Sequence, residues 1–332
     1  MRHDSNGFSS DKGERFGSLP VPTCEIAGFR APRDGECNSM IRRLKSKAGY
    51  AASGFRRAVL GRAGLGRVGL GFLALAPLPA SAASIEANYD ISLLGLKIGV
   101  AAIKADVLKD QYKLDVWSQL TGLAGVITGG KGAATSTGSI SGDRILPTTF
   151  AVTTANSDKS ITVRMALAGG SVQAVEIKPP IEPRPDRIPV TEQNKRGVVD
   201  PLSALLMPAS SGNASSAAAC NRTIPVFDGA TRFDVKLSYA RQETVRSPTY
   251  SGPVSVCRAR YLPISGHRAD RTATKFMENN KDMEAWLMPV GEDRVFIPYR
   301  ISVRTPLGTT VIEATRVNVN GNGPQMPVRA RN

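Results

Sequence analysis

Apolar and polar residues alternate along most of the second half of the chain. The pattern is clearest in 232–239 and in 295–303, where every second side chain is apolar, and a period of two is typical of a half-buried β-strand. Shorter segments of the same kind fill 87–178, and turns rich in Gly, Pro and Asn separate them. We therefore predict a mainly β fold, a single large curved antiparallel sheet that forms an open barrel or half-barrel.

One helix signal interrupts the strands. Asp200 can cap a helix, Pro201 suits its first position, and Pro208 ends it. The face of this helix carries Leu202, Leu205 and Leu206. A helix this short needs tertiary contacts to form, so we predict that it plugs the concave side of the sheet and that its leucines contact any apolar ligand held there. Three segments are predicted to be irregular connections: 122–132, 210–219 and 268–282.

The first quarter of the chain has the features of an export signal. Four arginines in 56–67 precede the apolar run 68–78, and an A-x-A cleavage signal follows at 80–82. The apolar run is shorter than the roughly 20 residues that span a bilayer. We predict a signal peptide at 56–82, cleaved after Ala82, with an uncleaved anchor helix as the alternative.

The remaining boundaries follow from composition. Residues 1–55 are predicted to be an N-terminal extension that is disordered or mis-annotated, because residues 1–39 are polar and aperiodic and translation can start instead at Met40. Residues 83–320 are predicted to be one antiparallel β domain, and 321–332 a disordered tail. The protein is then periplasmic, and no transmembrane segment is expected after signal cleavage.

Charge and cysteine usage agree with export. The chain carries 43 Lys and Arg against 28 Asp and Glu. Residues 1–82 hold 13 of the Lys and Arg residues and 6 of the Asp and Glu residues. The mature part therefore has a net charge of about +8. Nucleic acid is not an expected partner for an exported chain with 6% aromatic residues. Cys220 and Cys257 are predicted to form a disulfide in an oxidising compartment, with two free buried thiols as the alternative.

Catalytic and metal-binding patterns are weak. His267 follows a Ser-Gly turn, and Asp228 precedes Gly229 in a turn signal, where an aspartate usually accepts local backbone hydrogen bonds. Two cysteines and one histidine are too few for a metal site. We predict no enzymatic activity, no cofactor and no metal.

Arginines on the strands are the candidate polar ligands. Arg258 and Arg260 share one strand face, and Arg300 and Arg304 share another. If these strands are neighbours, their guanidinium groups form a ladder suited to phosphate or carboxylate, as in a lipid head group or an acidic envelope polymer. The alternative is a solvated outer face with alternating charges.

Five segments resemble a family of exported bacterial proteins known as domain of unknown function 3108: YDISLLGLKIGVA, VVDPLSALL, TIPVFDGATRFDV, VCRARYLPISGH and FIPYRISVRTPLGTTVIEATRV. They span most of residues 85–320. The resemblance implies an envelope location and a β fold, and it implies no activity. The inferred shape is similar to that of periplasmic lipoprotein carriers of the LolA/LolB type, by analogy of fold alone.

Two functional hypotheses have most weight. The first is a periplasmic, non-enzymatic binding or carrier protein for an apolar or amphipathic envelope ligand. The alternative is a cell-envelope assembly or scaffolding protein that acts through protein partners, and an enzyme with an unrecognised site is a third. An unfilled apolar cavity would favour the carrier, whereas a filled barrel with an exposed apolar patch would favour the alternative.

Overall fold

A computed structural model describes residues 82–108, 110–208, 216–290 and 295–320. The predicted extension at 1–55, the signal peptide up to residue 81 and the tail at 321–332 lie outside the described residues. The strands are β1 (Ala82–Leu93), β2 (Leu96–Leu108), β3 (Gln111–Leu120), β4 (Lys131–Ser141), β5 (Arg144–Ala155), β6 (Ser160–Ala168), β7 (Ser171–Lys178), β8 (Met207–Pro208), β9 (Arg222–Phe227), β10 (Arg232–Arg246), β11 (Ser251–Ser265), β12 (Met283–Val290), β13 (Val295–Thr305) and β14 (Gly308–Asn320). The α-helices are α1 (Gly122–Thr128), α2 (Ser216–Cys220) and α3 (Thr272–Asn279).

These strands form one 14-stranded antiparallel sheet, which confirms the predicted fold class. The order is β7-β6-β5-β4-β3-β2-β1-β14-β13-β12-β11-β10-β9, and β8 pairs with β13 off this path. The first and last strands of the domain are therefore neighbours at the middle of the sheet. The edges are β7 and β9, which do not pair with each other, so the sheet is not closed.

A short segment bridges these two edges at one end. The Val198 N–H donates to the Gly170 carbonyl at 2.9 Å, in the turn before β7. On the other side, Val199 exchanges two hydrogen bonds of 2.9 Å with β9, through the Pro225 carbonyl and the Phe227 N–H. The bridging residues Val198 and Val199 lead directly into Asp200, so the residues that follow lie against the inner face of the sheet.

Packed side chains fill that inner face. One cluster of buried residues joins both halves of the sheet, from β1, β2, β3, β5 and β6 to β11, β12, β13 and β14. Leu114 and Ile297, which come from opposite halves, are both fully buried within it. A second cluster surrounds Cys220 and Cys257 and is covered by Met277 of α3. The concave side is thus a hydrophobic core.

The helix at Asp200 is shorter than predicted. The structure has a turn followed by a 3-10 helix at Ser203–Leu205, because the segment must leave the helix at once to pair Met207 and Pro208 with β13. Asp200 still caps the turn as predicted, since its Oδ1 accepts the N–H groups of Leu202 and Ser203 at 2.9 Å.

All three predicted irregular connections contain helices instead: α2 in 210–219, and the two longer helices α1 and α3 in the other two. In 122–132, α1 begins after Thr121 and ends at Gly129, whose φ of 59° is left-handed, the conformation that favours glycine after a helix. In 268–282, α3 packs Met277 into the second core cluster. Neither helix has a side-chain cap, and that is the signal on which a sequence-based prediction depends.

The predicted disulfide is confirmed. Cys220 ends α2, Cys257 lies within β11, and the two are bonded across a sequence separation of 37 residues. Because β10 lies between β9 and β11, the bond ties the start of β9 to the next strand but one. The alternative of two free thiols is wrong.

Candidate functional site

The three leucines predicted to plug the sheet lie against its inner face. Leu202 and Leu206 are buried in the main core cluster, and Leu205 is half-buried against it. They contact other core side chains, so their observed role is to fill the concave side. Ligand binding by these residues stays a prediction.

A buried polar network anchors this segment to the opposite wall. Asp200 Oδ2 accepts hydrogen bonds from the Ser136 hydroxyl at 2.9 Å and from the Ser203 hydroxyl. Ser203 Oγ shares a 2.7 Å hydrogen bond with Tyr112 Oη. All four side chains are buried, so the 3-10 helix is fixed to β3 and β4 by fully enclosed hydrogen bonds.

Burial dominates the electrostatics of this network. Desolvation raises the pKa of Asp200, while its four hydrogen bonds oppose that shift. Burial also raises the pKa of Tyr112. These side chains are buried, so their observed role is to hold the 3-10 helix against β3 and β4.

The predicted arginine ladder is divided by β12. Register places Arg258 opposite Glu284, and places Trp286 opposite Arg300. Arg300 forms an ion pair of 2.7 Å with Glu313. These arginines therefore alternate with carboxylates across the strands.

The other two arginines also have partners within the protein. Arg304 pairs with Asp282 at 3.4 Å, and Arg260 donates to the Glu278 carbonyl at 3.1 Å. The arrangement favours the solvated, charge-compensated face that was the alternative. Anion binding by Arg258, Arg260, Arg300 and Arg304 stays a prediction.

Exposed apolar side chains gather at one end of the sheet. Three connections meet there: the β1–β2 turn, α1 between β3 and β4, and the β13–β14 turn. We call this surface the apolar end, and its large exposed side chains are Leu94, Leu96, Leu123, Val126, Ile127 and Leu307. No residue of α1 is buried, and Val126 is 84% exposed.

Hydrogen bonds hold these connections together. The Leu94 N–H donates to the Thr309 carbonyl at 3.0 Å, and the Leu94 side chain covers Gly308 so closely that no Cβ fits there. The Thr121 N–H, just before α1, donates to the Ile98 carbonyl of β2 at 2.8 Å. These hydrogen bonds hold the three connections side by side at this end of the sheet.

Lysines border the apolar end. Lys97 pairs with Asp90 at 2.6 Å, and Lys131 is exposed directly after α1. Lys159 is exposed on the β5–β6 turn, which is tied to the last residue of α1 because the Ser157 N–H donates to the Thr128 carbonyl at 2.8 Å. With Asp90 and Asp158 counted, the border carries three cations and two carboxylates.

The apolar end was missed at the sequence level. Its signal was the presence of large apolar residues in turns, as in Leu94-Gly95-Leu96 and Pro306-Leu307-Gly308, where polar residues are usual. Leu94 even has a positive φ of 52°, a conformation that leucine rarely adopts.

Comparison with known proteins shows which family the chain belongs to. A family model described as "Protein of unknown function (DUF3108)" matches residues 88–315. The chain belongs to this family. Among solved structures, this DUF3108 protein is similar to a β-barrel-like protein of the DUF1849 family from Brucella abortus. The two share 10% identity with a TM-score of 0.42, and the match covers 73% of this chain and 98% of that one. No curated protein matches the chain.

The remaining candidate residues of this DUF3108 protein form local backbone contacts. Asp228 Oδ1 accepts the backbone N–H groups of Ala230 and Thr231 at 2.8 and 2.6 Å, the local turn role that was predicted. His267 lies after β11, where its carbonyl accepts the Ile188 N–H at 2.9 Å. Within the described ranges, no group of three or more His, Cys, Asp or Glu side chains is placed to hold a metal ion. None of the described helices is long and apolar enough to cross a bilayer.

Proposed function

We propose that this DUF3108 protein is an exported, non-enzymatic protein of the cell envelope that docks through its apolar end onto an anionic lipid surface. The observation that carries the proposal is the clustering of six large exposed apolar side chains on three connected turns. Contiguous exposed apolar surface of this kind marks interaction sites in soluble proteins.

Lipid is favoured as the counterpart by the shape and charge of the apolar end. Its two most exposed side chains, Val126 and Leu123, project from α1, a single short helix with no buried residue. Such a protrusion suits the boundary between head groups and acyl chains. Lys131 and Lys159 flank it, and none of the ion pairs among the described residues includes either of them. A lysine near an anionic leaflet contributes about 1 kcal/mol.

The expected free energy of membrane binding is that of a reversible attachment. Full burial of a Leu, Val or Ile side chain contributes about 1.5–3 kcal/mol. Insertion of Leu123, Val126 and Ile127 would therefore supply roughly 4–9 kcal/mol, before the loss of translational freedom is subtracted. The bordering lysines add to this total on anionic membranes.

The packed inner face supports surface docking rather than transport within the barrel. A carrier of acyl chains needs an apolar chamber of several hundred Å³, whereas among the described residues the buried side chains of both sheet halves pack together on the concave side. The carboxylates of Asp200, which is buried, and Asp228, which is half-buried, both accept local hydrogen bonds, and this supports the non-enzymatic part of the proposal.

Vesicle flotation tests the proposal. The wild-type protein is expected to float with vesicles that contain about 30% phosphatidylglycerol, and to float less with pure phosphatidylcholine. Replacement of Leu123, Val126 and Ile127 by serine should reduce binding at least about tenfold. The matched control is Leu108→Ser, because Leu108 is an exposed leucine at the opposite end of the sheet.

Two results would overturn the proposal. One is undiminished vesicle binding by the triple variant while Leu108→Ser weakens it. The other is the absence of binding to either vesicle together with a monomer–dimer equilibrium that the triple variant abolishes, since the apolar end would then be an interface between two copies of the chain.

A further inference from the structure

A half-open groove lies on the outer face of β1 to β5, on the side of the sheet away from the core. Its volume is about 600 Å³, which is within the range of roughly 300–1,000 Å³ typical of small-molecule sites. Outward-pointing side chains of five adjacent strands line it, and Trp117 stands at its centre.

Strand register arranges the lining in two rows. The first row runs across the strands as Asn88, Ala102, Trp117, Ala133 and Thr153. The second row runs beside it as Glu86, Lys104, Asp115, Thr135 and Ala151. One row is thus centred on an aromatic ring, and the other on polar groups.

Small neighbours leave the indole of Trp117 uncovered. Its partners on both adjacent strands are alanines, Ala102 and Ala133, and strands lie only about 4.8 Å apart. A larger side chain at either position would cover the ring. Trp117 is instead 49% exposed, so a flat, partly apolar group can lie against it.

The charges at the groove are compensated by ion pairs. Among the lining residues, Lys104 lies 3.8 Å from Glu86. Asp115 also lines the groove, and it is paired at 2.7 Å with Lys113, which lies beside the groove on the same strand. With Lys113 counted, two lysines and two carboxylates leave no net charge to attract an ionic ligand, yet they present many hydrogen-bond donors and acceptors. The Thr135 hydroxyl adds one more donor and acceptor in the same row.

A neutral ring with hydroxyl groups at its edge matches this arrangement. Its C–H face can lie on the indole and the alanine methyl groups, and its hydroxyls can bond the polar row. An acyl chain matches less well, because the second row would leave carboxylates and lysines against apolar carbon. We propose that the groove binds a neutral saccharide unit, with Trp117 stacked on the sugar ring and Asp115 and Thr135 bonded to its hydroxyls.

Saturation-transfer NMR of the full chain with four neutral probes tests this proposal: chitotetraose, cellotetraose, maltotetraose and mannotetraose. At least one probe is expected to receive saturation from the protein, and Trp117→Ala should abolish the transfer. Ala133→Leu keeps the indole but covers one side of it, and should reduce affinity at least about tenfold. Because the chain has two tryptophans, Trp286→Phe leaves Trp117 as the single emitter, and its fluorescence should change saturably with the same probe.

Several outcomes would contradict the saccharide site. One is the absence of a saturable response to all four probes up to about 10 mM. Another is transfer that survives in both Trp117→Ala and Ala133→Leu. The third is a saturable change in Trp117 fluorescence with dodecyl maltoside, in the triple serine variant of α1, without such a change with maltotetraose. The last result would assign the groove to an acyl chain. The triple serine variant of α1 should bind the saccharide normally, which separates this proposal from lipid docking.

Discussion

Removal of the Asp200 carboxylate is expected to destabilise the fold strongly. In Asp200→Ala, the N–H groups of Leu202 and Ser203 lose their acceptor, and an unpaired buried donor costs about 1–3 kcal/mol. The Ser136 and Ser203 hydroxyls can still bond each other, since their oxygens are 2.9 Å apart. Relief of the buried charge offsets part of the loss, so we expect unfolding free energy to fall by about 2–4 kcal/mol.

Asp200→Asn separates hydrogen bonding from charge. The amide keeps an oxygen for both N–H groups, and its NH₂ can donate to the serine oxygens, so its effect at neutral pH should be smaller than that of alanine. Burial raises the folded-state pKa of Asp200. The stability that protonation contributes is therefore fully present below the unfolded pKa and is lost as pH rises through the folded pKa. Relative to wild type, the Asn variant should therefore become more stable as pH rises above the unfolded pKa of an aspartate, about 4.

Urea unfolding followed by far-UV circular dichroism measures both effects. The disulfide remains intact, and the slope of free energy against urea concentration should be unchanged among the variants. The reasoning is refuted if Asp200→Ala unfolds within about 0.5 kcal/mol of wild type, or if the difference between Asn and Asp does not vary with pH.

Three further predictions concern the core, the disulfide and the arginines. Leu206→Ala should lower the unfolding free energy by about 2–5 kcal/mol. Leu205→Ala should lower it by clearly less, because only Leu206 is fully enclosed. Equal losses of unfolding free energy in urea titrations would contradict this. Cys257→Ser should cost about 4 kcal/mol, as expected for a closed loop with a separation of 37 residues, and an unchanged thermal midpoint would refute it. Arg300→Gln and Arg304→Gln should leave flotation with anionic vesicles unchanged within about twofold, since both arginines are ion-paired. A loss of vesicle binding as large as that of the α1 variant would instead support the arginine ladder as a binding site.

The fold was largely predictable because its strands carry a local signal. Alternation in 232–239 and 295–303 corresponds to β10 and β13, and the turn role of Asp228 follows from the Asp-Gly pair. The even cysteine count likewise indicated the disulfide. Each of these depends on neighbouring residues or on composition, which a single sequence records.

The sites were much less predictable because they depend on non-local contacts. Ser136 and Tyr112 are hydrogen-bonded to Ser203 although they are 67 and 91 residues away from it in sequence. No local sequence pattern indicates such a network. The alanine neighbours of Trp117 come from strand pairing, which the local sequence around Trp117 does not record. The helix α1 has two glycines and no side-chain cap, so its propensity is weak.

A fluorescent probe on α1 tests the proposed lipid docking most directly. With Cys24 and Cys37 replaced by serine, Ile127→Cys provides one free thiol for the environment-sensitive dye NBD, and Leu108→Cys provides the control at the opposite end. On anionic vesicles, NBD at 127 is expected to brighten and shift to the blue, while NBD at 108 stays unchanged. A blue shift at 108, or no change at 127 while the protein remains bound to vesicles, would contradict docking through the apolar end.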